Sequence, residues 1–302
     1  MAVTTMPQTK SKSGFRRSLL EPFLDFVRRD RLALIGILII VSFTLIAVFA
    51  PFLAPHDPRD MLRREDGTLA RLDPPSLRHP FGTTNLGRDV FSQVLIGTRA
   101  ALLVGFLAAF FVTLIGTNIG IIAGYYGGWV DSLLMRLVDI LYAIPLIPFV
   151  IIMMALVEPS IWNVIWGISL LTWRTVARII RSQVLSVSQR PYVKAARMAG
   201  CSDFRIMYYH IAPNILPLAL LEMAFAVGWA ITAEASVSFV GFGDPTVISW
   251  GQILHMVFLT GAIRTAWWWV IPPGLAIALL LIGVFFTARS LEEVVNPRLR
   301  RR

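Results

Sequence analysis

The chain has 302 residues, 56% of them hydrophobic and 15% charged. Soluble domains carry about 25% charged residues, so the composition excludes an ordinary soluble domain and points to lipid. The net charge of +10 does not indicate nucleic acid, because the arginines fall in the breaks between apolar runs, where membrane topology places them.

A hydrocarbon layer about 30 Å thick takes roughly 20 apolar residues in a helix, and the chain divides accordingly. Residues 1–32 read as a polar cytoplasmic tail and 33–55 as a first transmembrane helix. That run is too long for a signal-peptide core, and no small-residue cleavage site clearly follows it, so it is expected to be retained. Residues 56–99 form an extracytoplasmic loop in which Pro58, Pro74, Pro75, Pro80 and interspersed charges argue against a substantial independent fold. The membrane domain proper is 100–289, followed by a cytoplasmic tail, 290–302. Its spans are expected at 100–126, at 133–157 with a kink at Pro145 and Pro148, at 161 to about 179, at about 215–240, and at 266–288. The last begins Trp267-Trp268-Trp269, which fits an interfacial belt. The fold class expected is therefore all-α and integral to the membrane, with six transmembrane helices.

Orientation follows from Lys and Arg. One side, with both tails and the 174–213 loop, holds 20 of these residues, and the other holds 8. The richer side should be cytoplasmic, which puts both termini inside.

The loop between the fourth and fifth spans, 190–213, carries the most information. Pro191 can open a helix at its first turn, and Ala195, Ala196 and Ala199 favour helix. Gly200 suits a left-handed cap. Ser202 can cap a second helix, with Asp203 at its positive end. Pro213 and Pro217 punctuate the way into the fifth span. The paired Ala195 and Ala196 give the first helix a flat face on which a partner can pack closely.

The pattern Lys194-Ala195-Ala196, Gly200, Ile211, Pro213 resembles the "EAA" loop of ABC importer permeases, with Lys194 in place of the glutamate and His210 and Ala212 in place of Ile and Leu. Further segments are similar to the "C" permeases of the dipeptide/oligopeptide/nickel group: His79-Pro-Phe-Gly-Thr-Thr-Asn-Leu-Gly-Arg-Asp89, Gly124-Tyr-Tyr-Gly-Gly-Trp-Val-Asp131 with Met135 to Asp139, Glu234 to Gly243 with Ser249-Trp-Gly251, and Asn296-Pro-Arg298. That group's Gly-Asp-Gly-Leu-Arg stretch is replaced by Ala288-Arg-Ser-Leu-Glu292. The resemblance implies the type I ABC importer permease fold, a second permease subunit in a hetero-dimer, two cytoplasmic ATPase subunits and an extracytoplasmic solute-binding protein. Tyr192, Lys194, Ala195, Ala196, Gly200 and Pro213 would form the coupling loop that docks on an ATPase. The cargo implied is a di- or oligopeptide, with nickel and oligosaccharides as alternatives within the family.

The chain itself has no phosphate-binding loop, since none of Lys10, Lys12 and Lys194 follows a Gly-x-x-x-x-Gly pattern. ATP and Mg²⁺ are therefore expected on the partner subunits, with no cofactor on this chain, and no nucleophile elbow or His-Glu-x-x-His pair suggests an enzyme. Glu222 and Glu234 lie in apolar runs, where charge is expensive. Glu222 reads equally as part of a translocation path or as a structural group; for Glu234 the readings are a substrate path, structural pairing, or water exposure at the outer end of its span. Arg136 and Asp139, three apart, are expected to pair locally. The Gly124 to Asp131 turn reads as a chain reversal, with a second ATPase contact as the alternative. His56, His79, His210 and His255 are scattered in sequence, and no metal site is expected. Readings from other classes are a secondary transporter or channel not coupled to ATP, and a membrane scaffold.

Overall fold

The computed structural model describes residues 31–295, so the tail up to residue 30 and the Asn296-Pro-Arg298 stretch lie outside the described residues. Among the described residues the chain is helical apart from loops, with isolated antiparallel bridges at Arg63–Leu69 and Thr83–Asp89. We number the helices α1 (Arg31–Leu53), α2 (Val90–Tyr126), α3 (Gly128–Tyr142), α4 (Leu146–Leu156), α5 (Ile161–Ser188), α6 (Pro191–Met198), α7 (Asp203–Phe239), α8 (Trp250–Leu259) and α9 (Trp267–Val295).

Four of these, α1, α2, α7 and α9, are long and apolar enough to cross a membrane. The pair α3–α4, bent by 82°, passes the same test together. The kink expected at Pro145 and Pro148 is thus a full break at Pro145, with Pro148 inside α4. Pro145 sits at the N-cap of α4 in an extended conformation, as a residue without an N–H can at a helix start. Arg174 of α5 reaches across the break: its Nη1 donates to Leu141 O, which also accepts from Ile144 N at 3.2 Å, and, at 3.4 Å, to Ile144 O. Helix α5 has ample length, 28 residues, but Arg174, Arg178 and Arg181 interrupt its apolar character. It runs to Ser188, well past the expected end near residue 179. Among the described residues, four or five helices therefore satisfy length and composition together, against the six expected.

Helix α2 starts at Val90 rather than near residue 100. Its 37 residues span about 55 Å at 1.5 Å per residue, far beyond the roughly 30 Å of hydrocarbon, so α2 reaches past the apolar layer. It is the central helix and packs most closely on α5. Gly116, Gly120 and Gly124, one turn apart, let the backbones meet: a Cβ on Gly116 would lie 2.7 Å from Trp173 O, on Gly120 2.7 Å from Ala177 O, and on Gly124 2.8 Å from Val184 Cβ. Small residues permit close approach where lipid offers no hydrophobic drive between helices. Helix α1 leans on α9 in the same way through Gly36 and Gly283, and its other face, including Leu38, Leu45 and Phe52, is exposed as a lipid-facing surface would be.

The outer loop is ordered. Leu62 N donates to Gly87 O, Leu72 N to Thr84 O and Thr83 N to Asp73 O, at 2.9–3.0 Å. Thr83, Thr84 and Asp89 are buried. The loop builds its core with the helices rather than alone, since Trp268 of α9 covers Gly82 and its Nε1 donates to Thr83 O at 3.4 Å. The three tryptophans divide their work. Trp267 is exposed and fits an interfacial belt, whereas Trp268 packs on the loop and Trp269 is buried.

Candidate functional site

Beyond the apolar spans, α6 is held against the ends of α2, α5 and α7. Pro191 stands in its first turn. Its C-terminus closes through two hydrogen bonds of 3.1 Å, Gly200 N to Arg197 O and Cys201 N to Ala196 O, with Gly200 at φ +77°. That pair of bonds around a left-handed residue is the Schellman arrangement, so the cap expected at Gly200 is present. Ser202 caps the following helix by accepting from Arg205 N at 3.4 Å.

One buried residue anchors α6. Val193, 1% exposed, packs among Val184, Val187, Ile206, Met207 and Ile211. A polar latch supplements it: Arg197 lies 5.2 Å over the Tyr125 ring, and the Tyr125 hydroxyl donates to Asp203 Oδ1 at 2.6 Å. The end of α2 thereby clasps both sides of the glycine turn.

The expected contact face needs correction. Ala195 and Ala196 do not share a surface: Ala195 is exposed, whereas Ala196 is half-buried against the chain's own core. The helix turns about 100° per residue, so Val193 and Ala196 take the inner face while Tyr192, Ala195 and Met198 remain outside with Lys194. Met198, 84% exposed, was not singled out from sequence, although its spacing of three from Ala195 is the signal that would have placed it. Pro213 is exposed and follows a π-helical turn, Ile206–Ile211, in which Ala212 N reaches back to Met207 O. That wide turn accommodates a residue without an N–H, so the expected separate second helix and fifth span are one continuous helix, α7.

Two further pairs brace this end. Arg181 of α5 makes a two-pronged pair with Asp131 of α3 through Nε and Nη2. Asp139 pairs with Arg178 at 2.6 Å, not with Arg136 as expected, because α3 lies against α5 and offers a partner across the gap.

Glu222 lines a cleft of about 440 Å³ between α4, α5 and α7, together with Thr172, Arg174, Phe225 and Trp229. Glu234 is elsewhere, 5% exposed, and accepts from Ser238 Oγ at 2.7 Å. The structurally paired reading of Glu234 holds and the water-exposed one does not. His210 and His255 lie apart, but His56 and His79 do not: their ring centroids are 5.1 Å apart, beside Asp89.

These features describe a helical membrane protein with a braced, non-apolar connector helix. Residues 116–301 match the family described as "Binding-protein-dependent transport system inner membrane component", and residues 22–75 match the "N-terminal TM domain of oligopeptide transport permease C". The dipeptide transport system permease protein DppC of Alkalihalophilus pseudofirmus is 34% identical over 275 residues, 91% of this chain and 88% of the relative. The oligopeptide transport system permease protein OppC of Bacillus subtilis is 34% identical over 276 residues, again 91% of this chain and 88% of the relative. A chain of the MetNI methionine ABC transporter, solved in inward-facing conformations, is similar in fold with a TM-score of 0.54 at 18% identity, covering 70% of this chain and 97% of that one. The chain belongs to the family of binding-protein-dependent transport system inner membrane components. It is a multi-pass membrane permease component with the all-α fold of an ABC transporter permease.

Proposed function

We propose that this chain is one permease of a peptide importer, paired with a second permease, driven by two cytoplasmic ATPases and supplied by an extracytoplasmic binding protein. Relatives named for dipeptide and oligopeptide transport, similar along nine-tenths of the chain, support the cargo class. The observation that carries the mechanism is α6. It is too short and too polar to be a span, it is fastened to α2 and α7 by the Tyr125 latch, and it keeps Tyr192, Ala195 and Met198 free. A helix fastened on one side and open on the other can pass a rigid displacement to the spans it is fastened to.

In this reading the ATPases bind ATP and Mg²⁺ and close, the docked α6 moves with them, and α2 and α7 follow. Nucleotide state thus shifts a pre-existing balance between outward- and inward-open forms, by as much as its differential binding allows. The cleft at Glu222 is then part of the path, where a carboxylate can meet the amino terminus of a peptide. With the Lys and Arg excess inside, α6 lies in the cytoplasm and both termini with it.

The test is reconstitution of the full complex in vesicles, measuring uptake of a labelled dipeptide with and without ATP. ATP-dependent uptake requiring all subunits is expected. Uptake that survives omission of both ATPases would instead identify a self-contained secondary transporter. Orientation is checked separately: a cysteine at Asp66 should react with an impermeant thiol reagent from outside, and one at Ser202, in a chain lacking Cys201, should not.

A further inference from the structure

We propose that His56, His79 and Asp89 form a binding site for a divalent transition metal, with zinc as the best-suited ion. The three residues come from separate places: His56 lies just past α1, His79 midway along the outer loop, and Asp89 at the N-cap of α2. The fold brings one donor atom from each to within 4.8 Å of the other two. Asp89 is fully buried, His79 is 8% exposed and His56 is half-buried.

Two imidazoles and a carboxylate are a common zinc donor set, with bonds of about 2.0–2.2 Å and a fourth position left for water. Tetrahedral bonds of that length separate neighbouring donors by about 3.3 Å. His79 Nδ1 and Asp89 Oδ1 already stand 3.2 Å apart. The other Asp89 oxygen, Oδ2, accepts from Ser92 N at 2.8 Å and Ser92 Oγ at 2.7 Å. Such bonds fix a carboxylate's orientation, as supporting groups do around metal ligands. The His56 backbone N–H donates to the same Ser92 hydroxyl at 3.3 Å, which draws His56 to the site.

The simpler account, a histidine–aspartate hydrogen bond that stabilises the loop, covers His79 and Asp89 alone. It leaves His56 Nδ1 buried and without a hydrogen-bond partner among the described residues. Buried polar atoms are rarely left unpaired, and a metal ion would satisfy this one. An ion here would join the end of α1, the outer loop and the start of α2 at one point.

The experiment uses the full chain, without a polyhistidine tag, purified in detergent, stripped with a chelator and titrated with Co²⁺ as a spectroscopic probe. The expected result is one Co²⁺ per chain at micromolar concentrations, with visible ligand-field absorption that Zn²⁺ abolishes by displacement. His56→Ala and His79→Ala should each weaken binding by more than about tenfold, while His255→Ala, whose Nδ1 is engaged by Phe239 O, should bind as the unsubstituted chain does. His56→Gln, closer in shape, repeats the test should the alanine variant fold poorly. Absence of micromolar binding by the unsubstituted chain, or binding unchanged in the His56 and His79 variants, would overturn the proposal.

Discussion

The Tyr125 hydroxyl donates a 2.6 Å hydrogen bond to Asp203 Oδ1, which joins residues 78 positions apart and ties the end of α2 to the start of α7. Hydrogen bonds to charged groups contribute about 1.5–3 kcal/mol. Tyr125→Phe removes the bond but keeps the ring under Arg197. Dipeptide-stimulated ATP hydrolysis by the reconstituted complex should fall, while the amount of ATPase that co-purifies stays the same. Loss of co-purification together with activity would mean that the latch shapes the docking face itself.

Ala195 and Ala196 should behave differently despite being neighbours. Ala195 is exposed and Ala196 faces the chain's own core. Overpacking costs about 1–3 kcal/mol, and at 1.4 kcal/mol per tenfold this is roughly 5- to 150-fold in affinity. Ala195→Trp should therefore lose ATPase co-purification by about that factor at unchanged thermal stability, whereas Ala196→Trp should lower the melting temperature of the isolated chain. Gly200→Val adds a third case. Its φ of +77° is hostile to a β-branched residue, with no steric clash to confuse the result, so uptake should be lost while the membrane helices remain.

Gly120→Leu tests the crossing of α2 and α5. A Cβ there would sit 2.7 Å from the Ala177 carbonyl oxygen and 2.8 Å from Ile180 Cβ, and backbone cannot give way as a side-chain tip can. A loss of about 1–3 kcal/mol or more should appear as a lowered melting temperature in detergent. Gly274→Leu, at a glycine whose added Cβ would meet nothing within 4 Å, is the control.

Asp244 predicts a pH dependence. Partial burial pushes its carboxyl up, but bonds from the Thr246 hydroxyl and N–H and from the Ile161 N–H outweigh this and hold it below its ordinary value of 3.8. The folded chain therefore binds fewer protons here than the unfolded chain. The stabilisation is full above the unfolded value and is lost as pH falls through the lower folded one. Asp244 Oδ2 accepts from Ile161 N at 3.0 Å, so the start of α5 should loosen in acid. Thermal melts from neutral pH down to about 3 should show a steeper decline for the unsubstituted chain than for Asp244→Asn.

Glu222→Gln keeps the shape of the side chain that lines the cleft and removes its capacity for charge. Reduced dipeptide uptake with normal assembly is expected, read from uptake and subunit stoichiometry together. Normal uptake would take Glu222 out of the path.

The sequence by itself determined the membrane class, the approximate place of the spans and the glycine-capped connector. These depend on local properties: apolar runs long enough for hydrocarbon, the φ that only glycine adopts easily, and the proline that opens α6. The break before α4 was legible from Pro145, though not the angle it takes. What only the tertiary structure decided were relations across the chain. Asp139 found Arg178 rather than Arg136 because α3 packs on α5. Ala196 turned inward because Val193 anchors α6, and periodicity over eight residues cannot say which face a core will take. His56 and His79, 23 positions apart, came together because the outer loop folds back on the start of α2, a juxtaposition that long-range packing creates and that no spacing along the chain encodes.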